Sequence, residues 1–384
     1  MKQLRCSQIL LLAMTTRAES NQQLVRRLLG VIISKPDDVP NLSNQELDMA
    51  LRLTRRVRLL GRLGSKLQAT GSLEKLPQPA IDQLHSGLAM ADARSRLARW
   101  ELDRIAWAMG SDVSTPLVAM KGCTYLLLDL PNAAGRIFAD VDLMTMEEDL
   151  ESVEAVLNRK GWISTKLTPY DQNYYRKWTH ELPPLVHEER EVEIDLHHNI
   201  MPRTARLHPS AEMLLARSRQ LPESRYRVLA DEDIVLHAMT HLMFDGDLAD
   251  KLRDLIDVCD LLEHFSGRNA DFWQRFVDRA EALDLTRPAY YSIRYACRLL
   301  ELPVPGSVHE KVDRWAPMRA VVWLMDRLAP RALFPQHPEH PSKVTEFCRL
   351  LLYIRSHWIR MPPWLLAYHL SYKFFATRLV RRQR

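Results

Sequence analysis

The residues with the clearest chemical potential are Asp140 and Asp142, which a single residue separates. They lie in segment 138–144, where apolar and polar residues alternate, and this period of two predicts a half-buried strand. Side chains two positions apart on a strand share a face, so we expect both carboxylates to point the same way. Because two like charges held close together are costly unless a cation lies between them, the pair predicts a cation site. Carboxylate oxygens suit Mg²⁺, in particular Mg²⁺ that also binds substrate phosphates.

A third carboxylate, Asp195, lies in a later segment, Val192–Leu196, that alternates in the same way. Three such carboxylates can hold metal ions on the attacking and leaving oxygens of a phosphoryl transfer. We therefore predict that Asp140, Asp142 and Asp195 are catalytic metal ligands. His197 follows Asp195 on the same strand face, and two interpretations of it are open. It orients a phosphate or a metal-binding carboxylate, or it is a histidine at the end of a strand without a chemical role.

Candidate phosphate contacts precede the first aspartate. Lys121 and Gly122 end a short apolar run, 117–120, and come before a helical segment, which is a geometry that offers backbone N–H groups to a phosphate. Arg136 lies four residues before Asp140, and its guanidinium is suited to bind a phosphate through two hydrogen bonds. An Asp-x-Asp pair alone is common on the solvent face of an edge strand, and these neighbours favour the catalytic interpretation instead.

The order of these motifs resembles the polymerase-beta nucleotidyltransferase superfamily and, more closely, its bacterial group of uncharacterised nucleotidyltransferases. The resemblance rests on Lys121-Gly122 after the first strand, on segment 136–143 around the two aspartates, and on segment 192–197. It covers roughly residues 10 to 265, although specific motifs occur only in 117–144 and 191–198. Cys123 departs from the serine or glycine that is usual in the superfamily, which removes a hydroxyl contact to phosphate.

The resemblance implies transfer of a nucleoside monophosphate from an NTP to an unknown acceptor, with Mg²⁺ and the three aspartates. The acceptor is a small molecule, an RNA or a protein. Two alternatives remain open at this point. One is a toxin-like nucleotidyltransferase that acts on tRNA or protein, and the other is a non-catalytic accessory protein at the membrane surface in polysaccharide assembly.

Glycine is scarce, with 12 residues in 384, which favours a helix-rich chain over a barrel or sandwich. We predict an α+β fold in which a small mixed sheet, the nucleotidyltransferase core of residues 111–215, is flanked by helical regions. The N-terminal helical region covers 1–110. The C-terminal one covers 216–384 and ends in a basic, aromatic tail.

The cysteines and the apolar runs bear on the compartment. Five cysteines are scattered without a C-x-x-C pair, which suggests neither a disulfide framework nor a zinc site. The apolar run Ile9–Met14 is too short for a secretory signal, and no segment reaches the roughly 20 apolar residues that span a bilayer. We therefore expect a cytoplasmic protein without a transmembrane helix.

The C-terminal stretch 344–384 combines eight Lys and Arg residues with one acidic residue and several aromatic residues. We expect it to be helical and packed against the body, with its last arginines exposed. The apolar positions expected to pack recur at helical spacing and are Leu350, Leu351, Ile354, Trp358 and Ile359. The alternative is peripheral contact with an anionic membrane, or binding of RNA, for which the aromatic face would have to be exposed.

Overall fold

Seven short strands form one mixed sheet in the middle of the chain. The computed structural model describes residues 21–368 apart from 111–114, 166–167, 191 and 245–247. The strands are β1 (Leu117–Ala119), β2 (Asp140–Met144), β3 (Trp162–Ser164), β4 (Leu185–His187), β5 (Glu193–His197), β6 (Arg219–Gln220) and β7 (Tyr226–Val228).

The order of the strands in the sheet is β3-β4-β5-β2-β1-β7-β6. The central pair, β2 and β5, is parallel, as is β1 with β7, and the other neighbours are antiparallel. Strands that the sequence separates widely are therefore adjacent at the centre of the sheet.

Helices precede, interrupt and follow the sheet. They are α1 (21–34), α2 (Asn44–Arg56), α3 (Leu60–Ala69), α4 (Gln78–Met109), α5 (Lys121–Leu127), α6 (Leu150–Arg159), α7 (Pro169–Trp178), α8 (Ala211–Ala216), α9 (Asp231–Phe244), α10 (Leu252–Arg268), α11 (Phe272–Ala282), α12 (Thr286–Leu300), α13 (Gly306–Arg314), α14 (Arg319–Leu333) and α15 (Lys343–Arg360). Among the helices that the structure describes, none combines the length and the apolar character needed to span a bilayer.

The sheet separates two apolar layers because alternate side chains of its strands enter different clusters. Leu117, Val141 and Leu143 pack with α4 and α6 on one side. Val118 and Met144 pack on the other side with α9 and the helices that follow it. Since Asp142 is two residues from Met144 on β2, the aspartates share the α9 side of the sheet.

The predicted α+β class, with a mixed sheet between helical regions, is confirmed. Strand β2 begins at Asp140, two residues later than the period-two pattern indicated, and β5 covers Glu193–His197. The division into regions 1–110, 111–215 and 216–384 stays a prediction.

The expected packing of the C-terminal segment is wrong for three of its apolar residues. Leu350 and Ile354 are each 53% exposed and Trp358 is 46% exposed. Helix α15 instead buries a face made of Thr345, Cys348, Leu352 and Ser356. Both sides of α15 carry apolar residues, so helical spacing alone did not identify the side that faces the core. The arginines predicted to be exposed, Arg378, Arg381, Arg382 and Arg384, lie outside the described residues.

A close backbone contact joins α3 to the loop before β2. A Cβ on Gly135, which has a φ of +66°, would lie 2.2 Å from the carbonyl carbon of Gly61. A Cβ on Gly61 would lie 2.5 Å from the carbonyl oxygen of Gly135. Both positions therefore require glycine, and the contact holds the loop that carries Arg136 against the N-terminal helices.

We expect Gly135→Ala to lower the free energy of unfolding by about 3 kcal/mol or more, because it adds a backbone clash to an unfavourable φ. The control is Gly30→Ala on α1, where a Cβ would meet no atom within 4 Å. That substitution should be neutral or stabilise the protein by up to about 1 kcal/mol, since alanine favours the helix. Urea denaturation of both variants measures the difference, and a Gly135→Ala protein as stable as the control would contradict the close contact.

Candidate active site

Four carboxylates lie on one face of the paired strands β2 and β5. The backbone register places Asp142 opposite Asp195 and Asp140 opposite Glu193. Residues two apart on a strand share a face, and residues opposite each other on paired strands share it too. The structure therefore brings together the three aspartates that the sequence singled out, and it adds Glu193. The alternation in segment 192–196 also places Glu193 on the face of Asp195.

Asp142 is the most deeply buried member of this group, with only 2% of its surface exposed. Lys121 Nζ donates a hydrogen bond to Asp142 Oδ1 at 2.7 Å, and His197 Nε2 lies 3.1 Å from the same oxygen. Burial on its own raises the pKa of Asp142, but the charge of Lys121 and the hydrogen bond from His197 outweigh it. The pKa of Asp142 is therefore held below its usual range, and the carboxylate stays ionised.

Lys121 takes up a backbone conformation that is unusual for a residue with a side chain, since its φ is +44°. Such a conformation costs on the order of 1 kcal/mol or more and persists where the surrounding structure enforces it, often at functional sites. Here Met120 N donates to Asp142 O at 3.0 Å, which fixes the end of β1 beside β2. The strained residue is thus the one whose ammonium contacts Asp142.

Gly122 follows at a crowded point of the same turn. A Cβ there would lie 3.2 Å from the ring of Phe138. Helix α5, which begins at Lys121, has only seven residues. The phosphate contact predicted for this turn therefore rests on the Lys121 ammonium and the nearby backbone more than on a helix N-terminus.

The other carboxylates, those of Asp140, Glu193 and Asp195, are destabilised in their ionised form by burial and by repulsion from neighbouring carboxylates. Burial, followed by the charges of Asp142 and Glu181, raises the pKa of Asp195 to about 8. Burial and the charge of Asp142 also raise the pKa of Asp140, while burial and Asp140 raise that of Glu193. A cation placed among these groups would relieve this repulsion.

The donor atoms also fit a divalent cation. Asp142, Asp195 and His197 each offer one ligand atom, and these atoms lie within 4.8 Å of one another. Asp140 lies outside that group but on the same strand face. Carboxylate oxygens of this kind are the ligands that Mg²⁺ prefers, so the residues present fit the ion that the sequence predicted.

Glu181 is a neighbour of the site that the sequence analysis did not assign. It forms an isolated bridge with His197, and its Oε2 lies 3.3 Å from His197 Nδ1. His197 therefore lies between two carboxylates, those of Asp142 and Glu181. No local pattern marked Glu181, because its position depends on a tertiary pairing with β5.

A cavity opens beside the acidic face. Its lining includes Lys121, Gly122, Asp140 and Asp142, together with the arginines Arg58, Arg136 and Arg253. Arg58 follows α2 in the N-terminal helical region, and nothing in its local sequence indicated a place near the aspartates. The lining also includes Asp254 and Asp257, which form ion pairs with Arg253 and Arg136.

Arg136 is a buried member of this lining. Its guanidinium forms an ion pair with Asp257 on α10 and lies 5.1 Å from the ring centre of Tyr125. Arg253, four residues before Asp257 on α10, bonds Asp254 and leaves Asp257 to Arg136. The phosphate contact of Arg136 stays a prediction, and its guanidinium is already held in place by Asp257.

We expect the stability of the metal-free protein to depend on pH through Asp195. An unfolded aspartate has a pKa of about 4, while the folded value is raised to about 8. The folded state thus retains a proton at Asp195 that the unfolded chain loses, so stability falls as the pH rises through this window. Asp195→Asn keeps the shape without the titration and should reduce the loss between about pH 5.5 and about pH 8.5 by on the order of 1 kcal/mol.

Urea denaturation in a chelator at both pH values measures this effect. The control is Asp129→Asn, whose carboxylate has 83% of its side chain exposed and should leave the pH dependence as in the wild type. An Asp195→Asn protein with the wild-type pH dependence would contradict the raised pKa.

Comparison with known proteins places the chain in a family. The sequence profile of a family described as uncharacterised nucleotidyltransferase matches residues 43–301. The crystal structure of JHP933 from Helicobacter pylori is similar at 14% identity, covering 62% of this chain and 94% of that chain with a TM-score of 0.29. Similarity at that level does not establish that the two proteins share a fold. No curated protein matches the chain.

The family profile spans both acidic strands, the Lys-Gly turn between β1 and α5, and helices on either side of the sheet. These are the segments whose motifs carried the resemblance, which is thereby confirmed. The chain belongs to the uncharacterised nucleotidyltransferase family.

Proposed function

We propose that the protein transfers a nucleoside monophosphate from an NTP to a hydroxyl or phosphate acceptor with Mg²⁺. The observation that carries the proposal is the register of β2 and β5, which sets Asp142 beside Asp195, while Asp142 and Lys121 both line one cavity. Membership of a nucleotidyltransferase family supports the reaction class.

The three aspartates, Asp140, Asp142 and Asp195, are the proposed metal ligands. Bound Mg²⁺ supplies positive charge that polarises the phosphoryl group and orients the oxygens of the displacement. Asp142 contributes an oxygen that Lys121 and His197 keep ionised. Asp195 completes the set, and we assign it as the base that accepts the proton of the acceptor.

Lys121, Gly122 and Arg136 are the proposed contacts to the triphosphate. An ammonium has three donors, so Lys121 has the capacity to bond Asp142 and a phosphate oxygen together. Arg136 is held by Asp257, which fixes its guanidinium before any ligand arrives. A preoriented cation loses less conformational entropy when it binds a phosphate, which favours it as part of the cavity wall.

His197 is proposed as a positioning residue. Its Nε2 lies 3.1 Å from Asp142 Oδ1, and its Nδ1 lies 3.3 Å from Glu181 Oε2. The hydrogen bond at Nε2 fixes the rotamer of the Asp142 carboxylate, and Glu181 lies close to the other ring nitrogen. This arrangement favours the first of the two interpretations of His197.

The acceptor is a small molecule, an RNA or a protein, and we propose the cytoplasm as the compartment. The cysteines of the described part of the chain, Cys123, Cys259, Cys297 and Cys348, are free thiols, which supports a reducing compartment. An assay in cell extract tests whether the reaction occurs and also identifies the acceptor that becomes labelled.

The proposal is tested by incubating the protein with each of the four NTPs, labelled at the α-phosphate, and with Mg²⁺ and cell extract. We expect one or more NTPs to label an extract component. Asp140→Asn with Asp142→Asn should lower this labelling by about 100-fold or more, because the bound cation contributes several kcal/mol of charge stabilisation. Asparagine is preferred to alanine because Asp142 is buried and bonded by Lys121 and His197.

The matched control is again Asp129→Asn, whose carboxylate bonds Arg99 at the surface. It should label the extract as the wild type does. Labelling that survives in the double variant, or that persists in excess chelator, would overturn the proposed site. Circular dichroism of the double variant verifies that the protein remains folded.

A further inference from the structure

The exposed side of α15 carries a continuous apolar stripe. Phe347 is 59% exposed, Leu350 and Ile354 are each 53% exposed, and Trp358 is 46% exposed. At about 100° of rotation per residue, these four side chains fall within a sector of about 80° on the helix. They lie on the side opposite the buried seam, so the part of the chain that the structure describes leaves the stripe uncovered.

Neighbouring elements also expose apolar side chains. Helix α14 packs against α15 and exposes Trp323 and Leu324, which are 57% and 45% exposed. Trp364 and Tyr368, after the end of α15, are 64% and 51% exposed. We call this set of residues on α14, α15 and the segment 361–368 the C-terminal apolar face. Large exposed apolar patches on a soluble protein often mark a site of interaction with another protein or with a membrane.

Basic side chains border the C-terminal apolar face. The guanidinium of Arg206 lies 5.0 Å from the ring centre of Trp358, and that of Arg327 lies 4.2 Å from the ring centre of Trp323. Lys343 is exposed at the start of α15. The sequence that follows the face, residues 369–384, adds five Lys and Arg residues and no acidic residue. An apolar, tryptophan-rich surface with a basic border complements a negatively charged partner.

We propose that the C-terminal apolar face docks the protein on an anionic membrane surface as a peripheral protein. Tryptophan and tyrosine favour the interface between water and lipid, because their rings are apolar and carry one polar group. The basic border meets anionic headgroups while the stripe enters the boundary between headgroups and acyl chains. The charge of the border favours this partner over a second copy of the chain, since two copies would bring basic surfaces together.

The C-terminal apolar face is connected by hydrogen bonds to the segment that follows β5. Arg206 N donates to Ile359 O at 3.1 Å, and Thr204 Oγ1 donates to Arg360 O at 2.7 Å. These residues belong to the segment that follows β5, the strand of Asp195 and His197. The end of α15 is thus hydrogen-bonded to the chain that leaves the candidate active site.

The test is co-sedimentation of the full chain with vesicles of phosphatidylcholine alone and of phosphatidylcholine mixed with phosphatidylglycerol. We expect binding to the mixed vesicles that weakens as salt is added, and little binding to phosphatidylcholine alone. Phe347→Ser with Ile354→Ser should lower the partition onto mixed vesicles by about tenfold or more, because the stripe loses two of its side chains.

The control is Met90→Ser with Trp107→Ser on α4, which removes two side chains of similar exposure, 51% and 61%, away from the face. It should bind as the wild type does. If the first variant misfolds, Leu350→Ser with Trp364→Ser carries the same expectation.

Several outcomes would overturn the proposal. The wild type could fail to sediment with mixed vesicles, or the stripe variant could bind as well as the control. Light scattering could show a dimer that the stripe variant breaks, which would identify a second copy as the occupant.

Discussion

The backbone ladder between β2 and β5 sets the position of every residue in the candidate site. A slip of one residue would turn Asp195 to the opposite face of the sheet, away from Asp142. The apolar residues between the carboxylates, Val141 and Ile194, are fully buried on the other face and oppose such a slip. The pairing of β1 with β2 then brings Lys121 to Asp142. The packing of the sheet and the geometry of the carboxylates are therefore a single constraint.

Charge is distributed unequally around this ladder. Lys121 and His197 both contact Asp142, which stays ionised, while Asp195 and Asp140 lack comparable partners and have raised pKa values. The acidic face is therefore short of positive charge, whereas the adjoining cavity wall carries Arg58, Arg136 and Arg253, the last two paired with Asp257 and Asp254. Under the proposed function, the cation of a metal nucleotide would lie at the carboxylates and its phosphates would lie at the basic side chains of the cavity wall.

Local sequence patterns predicted the part of this arrangement that depends on local periodicity. The alternation around Asp142 and Asp195 gave their strands and their shared face, and the Lys-Gly turn gave the position of Lys121. Glu181 and Arg58 could not be found in this way, because tertiary packing alone brings them to the site. On α15, residues on both sides of the helix are apolar, and the spacing that predicted a helix could not tell the buried side from the exposed one.

The N-terminal helices do more than extend the core. Gly61 on α3 contacts the loop before β2 through its backbone, and Arg62 beside it forms an ion pair with Asp260 on α10. The same α10 carries Asp257, the partner of Arg136. One turn of α3 thus supports both the loop that carries Arg136 and the helix that anchors its guanidinium. The cavity wall depends on this support, which gives a structural reason for the family profile to begin in the N-terminal helices, well before the acidic strands.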